Sequence, residues 1–177
     1  MNDLLAVVAL VTVPLVLLGS LAGHVARPGV LVTALRAHRT VPGAMVVGVA
    51  RLVGVTEALL LGEMIVALIW WEPGLLRAGM ATAAALLAVY GLYSAYVRWR
   101  RPPGVPCGCA GIETPMTGWV TVRAALLGLI AVAGAVYGPV EELQPFQIFI
   151  GSFAGLVFTV IASILPEAMI YVGGADQ

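Results

Sequence analysis

Long apolar stretches alternate with short polar connections along the whole chain. Crossing about 30 Å of hydrocarbon takes roughly 20 apolar residues in a helix. Five stretches meet that length: about 4–23, 42–71, 75–97, 118–137 and 146–165. Pro14 predicts a kink in the first, and Pro166 weakens or ends the last, because proline removes a helix hydrogen bond. Trp70, Trp71, Tyr96, Trp99, Trp119 and Tyr137 fall at span ends, where amphipathic rings anchor at the membrane interface. Ala81, Ala83, Ala84, Ala85 and Ala88 in the third span predict close helix approach.

The segment 24–40 has a different rhythm. Leu31 and Leu35 alternate with the Arg36, His38 and Arg39 cluster, a pattern that predicts a short helix lying in the interface. Its histidines, His24 and His38, read as solvated interfacial residues, since a pair without nearby carboxylates makes a poor metal site. The first span opens Met1-Asn2-Asp3 and lacks a basic leader, so it is expected to be retained rather than cleaved.

Composition sharpens this picture. Hydrophobic residues are 61% and charged residues 10% of the 177, whereas a soluble domain needs about 25% charge. The expected fold is therefore an all-α integral membrane protein, residues 1–177 forming one membrane domain. It is a bundle of five transmembrane helices with a short interfacial helix, in the cell (inner or plasma) membrane. Net charge is +0 and the cations form no extended basic run, which excludes a nucleic-acid partner. Five spans place 24–40 and the loop 98–117 on one side, with Arg27, Arg36, Arg39, Arg98, Arg100 and Arg101. The opposite loops hold Glu72, Arg77, Glu141 and Glu142, so the positive-inside rule makes the arginine-rich side cytoplasmic.

That side also carries the sequence Pro106-Cys107-Gly108-Cys109-Ala110-Gly111, with the chain's 2 cysteines. The thiolate is the reactive form, and neighbouring cations such as Arg98, Arg100, Arg101 and Arg123 favour it. A disulfide across one residue closes a very small ring, which suits exchange with a partner thiol better than bracing. Gly108 gives the backbone freedom to close it. Two other readings stand beside this one. Paired thiolates select soft metals such as Cu(I), with Met116 as a thioether ligand. Alternatively, the cysteines are incidental to a loop.

Glu57 and Glu63 lie inside the second span, where an ionisable group costs about 2.5–3.5 kcal/mol and faces the bundle interior or water. Counted from Pro42, Glu57 lies roughly 22 Å and Arg51 roughly 14 Å along the helix, and Arg123 lies roughly 8 Å into the fourth span. Cys107, Cys109, Arg123, Arg51 and Glu57 then form a ladder suited to a quinone head group or a proton relay. A structural ion pair of Glu57 with Arg123 or Arg51 fits the same spacing.

Four segments in order resemble the MauE family, related to the DoxX-like four-helix redox-associated membrane proteins. These are Arg36-Ala37-His38-Arg39-Thr40-Val41-Pro42, Thr56-Glu57-Ala58-Leu59-Leu60-Leu61-Gly62, the Cys-Gly-Cys loop, and Val122-Arg123-Ala124. The resemblance covers about residues 4–137, leaving an extra C-terminal span at about 146–165. Ala110 stands where the family has phenylalanine. It implies a DoxX-like four-helix core plus one helix, and a thiol–disulfide oxidoreductase role with Cys107 and Cys109 as the redox pair. Arg51, Glu57 and Arg123 would set the electrostatics of a quinone pocket, with no tightly bound cofactor. The implied partner is a thioredoxin-like protein, serving the maturation of an exported disulfide-rich dehydrogenase subunit. This places the cysteines on the outer face, opposite to the charge count. The alternatives are a non-catalytic accessory subunit of a larger membrane complex, and a soft-metal handling protein.

Overall fold

The computed structural model describes residues 2–102, 104–108, 115–138 and 144–173, with side chains described for 3–164 of these. Cys109, Ala110, Gly111, Glu141 and Glu142 lie outside the described residues. Among the described residues are six α-helices: α1 (Asn2–Ala26), α2 (Pro28–His38), α3 (Val46–Trp70), α4 (Pro73–Arg100), α5 (Gly118–Tyr137) and α6 (Pro145–Gly173). All but α2 are long and apolar enough to cross a membrane, so the protein is an all-α membrane protein. The helices begin where the sequence makes it cheap. α2, α4 and α6 each start on proline, whose missing N–H is an orphan in the first turn anyway. α3 ends with Trp71 in the left-handed region (φ 51°), and the Glu72 N–H returns to the Ala67 carbonyl.

α1, α3, α4 and α5 pack into a four-helix ring, with α6 against the outer side of α1. The core lies inside the ring, on Leu10, Val13, Leu17, Leu60, Met64, Leu76, Met80, Leu87 and Leu127. α4 turns Leu76, Gly79, Met80, Ala83, Leu87, Gly91, Ser94 and Val97 inward, a three-and-four spacing that keeps one stripe on its neighbours. Of the five alanines in its middle only Ala83 is buried. Glycine provides the tighter approach elsewhere: a Cβ at Gly134 of α5 would lie 2.9 Å from Ala9 Cβ and 3.0 Å from Met80 Sδ.

α6 uses the same device. Cβ atoms at Gly151 and Gly155 would meet Val7 at 2.7 Å and Val11 at 2.9 Å, a small-xxx-small contact of the kind that joins membrane helices. Thr12 adds a hydrogen bond to the Gly155 carbonyl at 3.2 Å. α6 continues through Pro166 to Gly173 rather than ending there. α1 likewise runs unbroken through Pro14.

Candidate functional site

The cysteine loop is held by both of its arms. Pro106 and Pro115 form an isolated antiparallel bridge, and the Met116 N–H donates to the Val105 carbonyl at 2.7 Å. This closure sets Cys107 and Met116 against Val97, the last inward residue of α4, with Tyr93, Val105 and Val120 packed around them. Cys107 is 4% exposed and disulfide-bonded; the sequence holds one other cysteine, Cys109. Gly108 has φ +72°, a left-handed conformation that favours glycine. A Cβ there would lie 2.5 Å from Ala34 Cβ and 3.4 Å from Leu31 Cα. The loop thus sits directly on α2, and α2 is a cover for the cysteine turn as well as an interfacial helix.

His38 makes the polar half of that contact. Its ring is 1% exposed, with Nε2 2.7 Å from the Pro106 carbonyl and Nδ1 2.9 Å from the Tyr93 hydroxyl. A carbonyl only accepts, so Nε2 carries the proton, and in the neutral ring Nδ1 accepts from Tyr93. The Thr40 hydroxyl, 2.8 Å from Tyr93 Oη, then donates to it. Burial lowers the His38 pKa, with the Pro106 bond opposing and the Arg101 charge assisting, so the neutral ring is favoured. Arg101 also donates to the His38 carbonyl at 2.6 Å and to the Arg39 carbonyl at 3.0 Å. It thereby satisfies the end of α2, where a cation complements the helix dipole.

A second polar centre lies one turn deeper along α4. Glu57 of α3 is 0% exposed. Its Oε1 accepts from Ser20 of α1 at 3.0 Å and from Tyr90 of α4 at 2.9 Å. Its Oε2 lies 3.7 Å from His24 Nε2, which is also 3.4 Å from Ser20 Oγ. Glu57 Oε2 and His24 Nδ1 have no hydrogen-bond partner among the described residues. Three spans thus meet on one carboxylate.

The sequence-derived ladder is rearranged. Glu57 lies inward, but Arg51 is exposed on α3 and is not brought to it. Arg123 is half-buried on α5 and forms no ion pair among the described residues. Its neighbour Ala124 packs on Gly91, beside Tyr90, so the backbone of Arg123 lies at the level of the deep centre. The histidines are not solvated: His38 is fully buried, and His24 has a side chain 12% exposed against Glu57. Sequence reasoning missed Ser20, His24, His38, Tyr90 and Tyr93. The spacing of Tyr90 and Tyr93 was a usable signal, since positions three apart share a helix face.

No curated protein and no solved structure matches the chain. The family described as methylamine utilisation protein MauE matches over residues 1–137, from the start of α1 to the last residue of α5, with α6 beyond it. The chain is therefore a multi-pass membrane protein that belongs to the MauE family, a membership that suggests a redox or accessory role in a membrane system.

Proposed function

We propose that this protein is a thiol–disulfide exchange protein, passing reducing equivalents between a thioredoxin-like partner and the quinone pool. The observation that carries the reading is the disulfide at Cys107, seated at the mouth of the bundle on a loop clamped by α2 and α4. A bracing disulfide joins distant parts of a chain, whereas a bond between near neighbours closes a short loop and restrains little of the unfolded state. Exchange is the use that such a bond serves.

Because Cys107 is shielded by Val97 and Met116, the exchange runs through Cys109. A thiolate of the partner attacks the Cys109 sulfur, the disulfide breaks, and Cys107 leaves as a thiolate that takes up a proton. The partner's second thiolate resolves the mixed disulfide, Cys109 leaves and is protonated, and the partner departs oxidised. Two electrons and two protons now reside on the Cys107 and Cys109 pair. A quinone, when bound, accepts those two electrons and two protons as the disulfide re-forms. Glu57 Oε2 and His24 Nδ1 fit a head group, because both are buried polar atoms without a partner, and Arg123 supplies a cation at the same level. Glu57 and His24 would orient the head group and hold a proton between Oε2 and Nε2. This chemistry would serve the maturation of an exported disulfide-bonded protein, with α6 an addition to the family core.

The test is the redox state of the pair in intact cells, followed by differential alkylation while the respiratory quinone supply is varied. The expected result is a disulfide that forms and disappears with quinone oxidation, and loss of complementation in both Cys107→Ser and Cys109→Ser. Full complementation by either variant overturns the reading.

A further inference from the structure

We propose that His38 is a positioning residue for the Cys107 disulfide, holding the arm of the loop that carries this sulfur so that the two thiols stay within bonding reach after reduction. The inference rests on the exchange reading for its biological use, but its geometry stands independently.

The residue before Cys107 is fixed through its carbonyl, the acceptor of the 2.7 Å bond from His38 Nε2. The residue after it is fixed by contact, because Gly108 lies too close to Ala34 for any Cβ to fit between. Cys107 is thus held between a polar clamp and an apolar one, and both come from α2. The polar clamp has a fixed direction: Thr40 donates to Tyr93, Tyr93 to His38, and His38 to Pro106. Reversing any one bond would leave two donors or two acceptors facing each other. Arg101 ties the backbone of His38 to α4 by a separate route, so the ring is anchored at both ends.

A clamp of this kind acts on the equilibrium between dithiol and disulfide. In the dithiol, the effective concentration of one sulfur near the other depends on how far each arm can wander. Freeing the Pro106–Cys107 arm lowers that concentration and moves the equilibrium toward the dithiol. Losing the clamp is expected to lower that effective concentration on the order of tenfold, which is about 30 mV for a two-electron couple.

The experiment equilibrates the full chain in lipid nanodiscs with dithiothreitol buffers of graded redox ratio and reads the thiols by alkylation mass shift. H38Q keeps an N–H near the Nε2 position and can still reach the Pro106 carbonyl. H38N is too short for that and keeps only an acceptor for Tyr93. The expected result is an equilibrium constant within about twofold of the parent for H38Q and shifted about tenfold toward dithiol for H38N. The proposal is overturned if H38N stays within about twofold of the parent, or if H38Q moves as far as H38N. The exchange reading fails separately, when cells tolerate Cys107→Ser or Cys109→Ser. That result leaves the dependence of the equilibrium on His38 intact.

Discussion

The two polar centres of this protein are built from the same parts and finished differently. Each takes a histidine from the α1–α2 region and a tyrosine from α4, with Tyr93 serving the membrane-edge bracket and Tyr90 the deep centre. In the bracket, both nitrogens of His38 and the hydroxyls of Tyr93 and Thr40 all have partners, and the chain of bonds ends on a backbone carbonyl. In the deep centre, one oxygen of Glu57 and one nitrogen of His24 are left without a partner among the described residues. A complete network fixes shape, because moving any member leaves a buried group unpaired. A network with open valences has somewhere to put a proton or a ligand hydroxyl. The bracket should therefore govern the equilibrium of the disulfide, and the deep centre the rate at which it turns over.

The largest effect expected from this division comes from Glu57→Gln. The amide oxygen still accepts from Ser20 and Tyr90, so packing is kept, but no proton can be held at that position. Disulfide re-formation in cells should slow on the order of a hundredfold, the usual scale of a lost proton-transfer group. The equilibrium constant of Cys107 against dithiothreitol should not move. If that constant shifts while the rate is unchanged, the roles of the two centres are reversed.

Gly108→Ala attacks the bracket from its apolar side. The left-handed conformation costs an alanine about 1–2 kcal/mol, and the new Cβ meets Ala34 Cβ at 2.5 Å. Alkylation of Cys107 in the reduced protein should accelerate about tenfold as the loop lifts from α2, since about 1.4 kcal/mol is a factor of ten. Adding Ala34→Gly removes the collision but not the backbone strain, and should recover part of the protection. Full recovery would mean that the collision alone matters.

A smaller effect follows from protonation of His38. Burial, aided by the Arg101 charge, depresses its pKa below the usual 6.5. A group with a depressed folded pKa binds fewer protons when folded, so stability rises with pH across the window between the two values. The bracket's contribution is thus complete above about 6.5 and declines as pH falls below it toward the depressed value. Protonation turns Nδ1 into a donor facing Tyr93, and that hydroxyl must then reverse against Thr40. Amide exchange over residues 104–108, corrected for its intrinsic pH dependence, should quicken below pH 6.5 in the parent. In His38→Gln it should stay flat.

How much of this was legible in the sequence follows from what each feature depends on. The spans were legible because apolar length in a membrane is a local property, and Gly118–Tyr137 came out with the bounds the pattern predicts. Glu57 was legible as an inward group because a charge inside a span has few other places to go. Its partners were not, since Ser20 and Tyr90 reach it from sequence separations of 37 and 33 residues. Arg51 was misplaced for a related reason. Depth along a helix can be counted from its start, but the angle around the axis depends on packing. His38 was read as solvated because it stands on the interfacial segment with no carboxylate near it in the sequence, yet Arg36 and Arg39 turn outward while His38 turns in. Only the contact with a loop 68 residues away explains why.

The finest distinction lies within the deep centre, in how Glu57 Oε1 shares its two donors. Ser20→Ala and Tyr90→Phe each remove one of them while leaving the other in place. A hydrogen bond between membrane helices contributes about 0.6 kcal/mol on average, so each single variant should lower unfolding free energy by about that much. The double variant is the informative one. With both donors gone, Oε1 joins Oε2 as a buried oxygen without a donor, and the desolvation of an unpaired acceptor, about 1–3 kcal/mol, is then felt in full. The loss should exceed the sum of the singles by more than about 0.5 kcal/mol, the usual limit for independent sites. Unfolding in graded denaturing detergent measures all four corners of that cycle. Additive losses would mean that water or lipid head groups reach Glu57 once a hydroxyl is removed, and that the deep centre is open to the membrane edge.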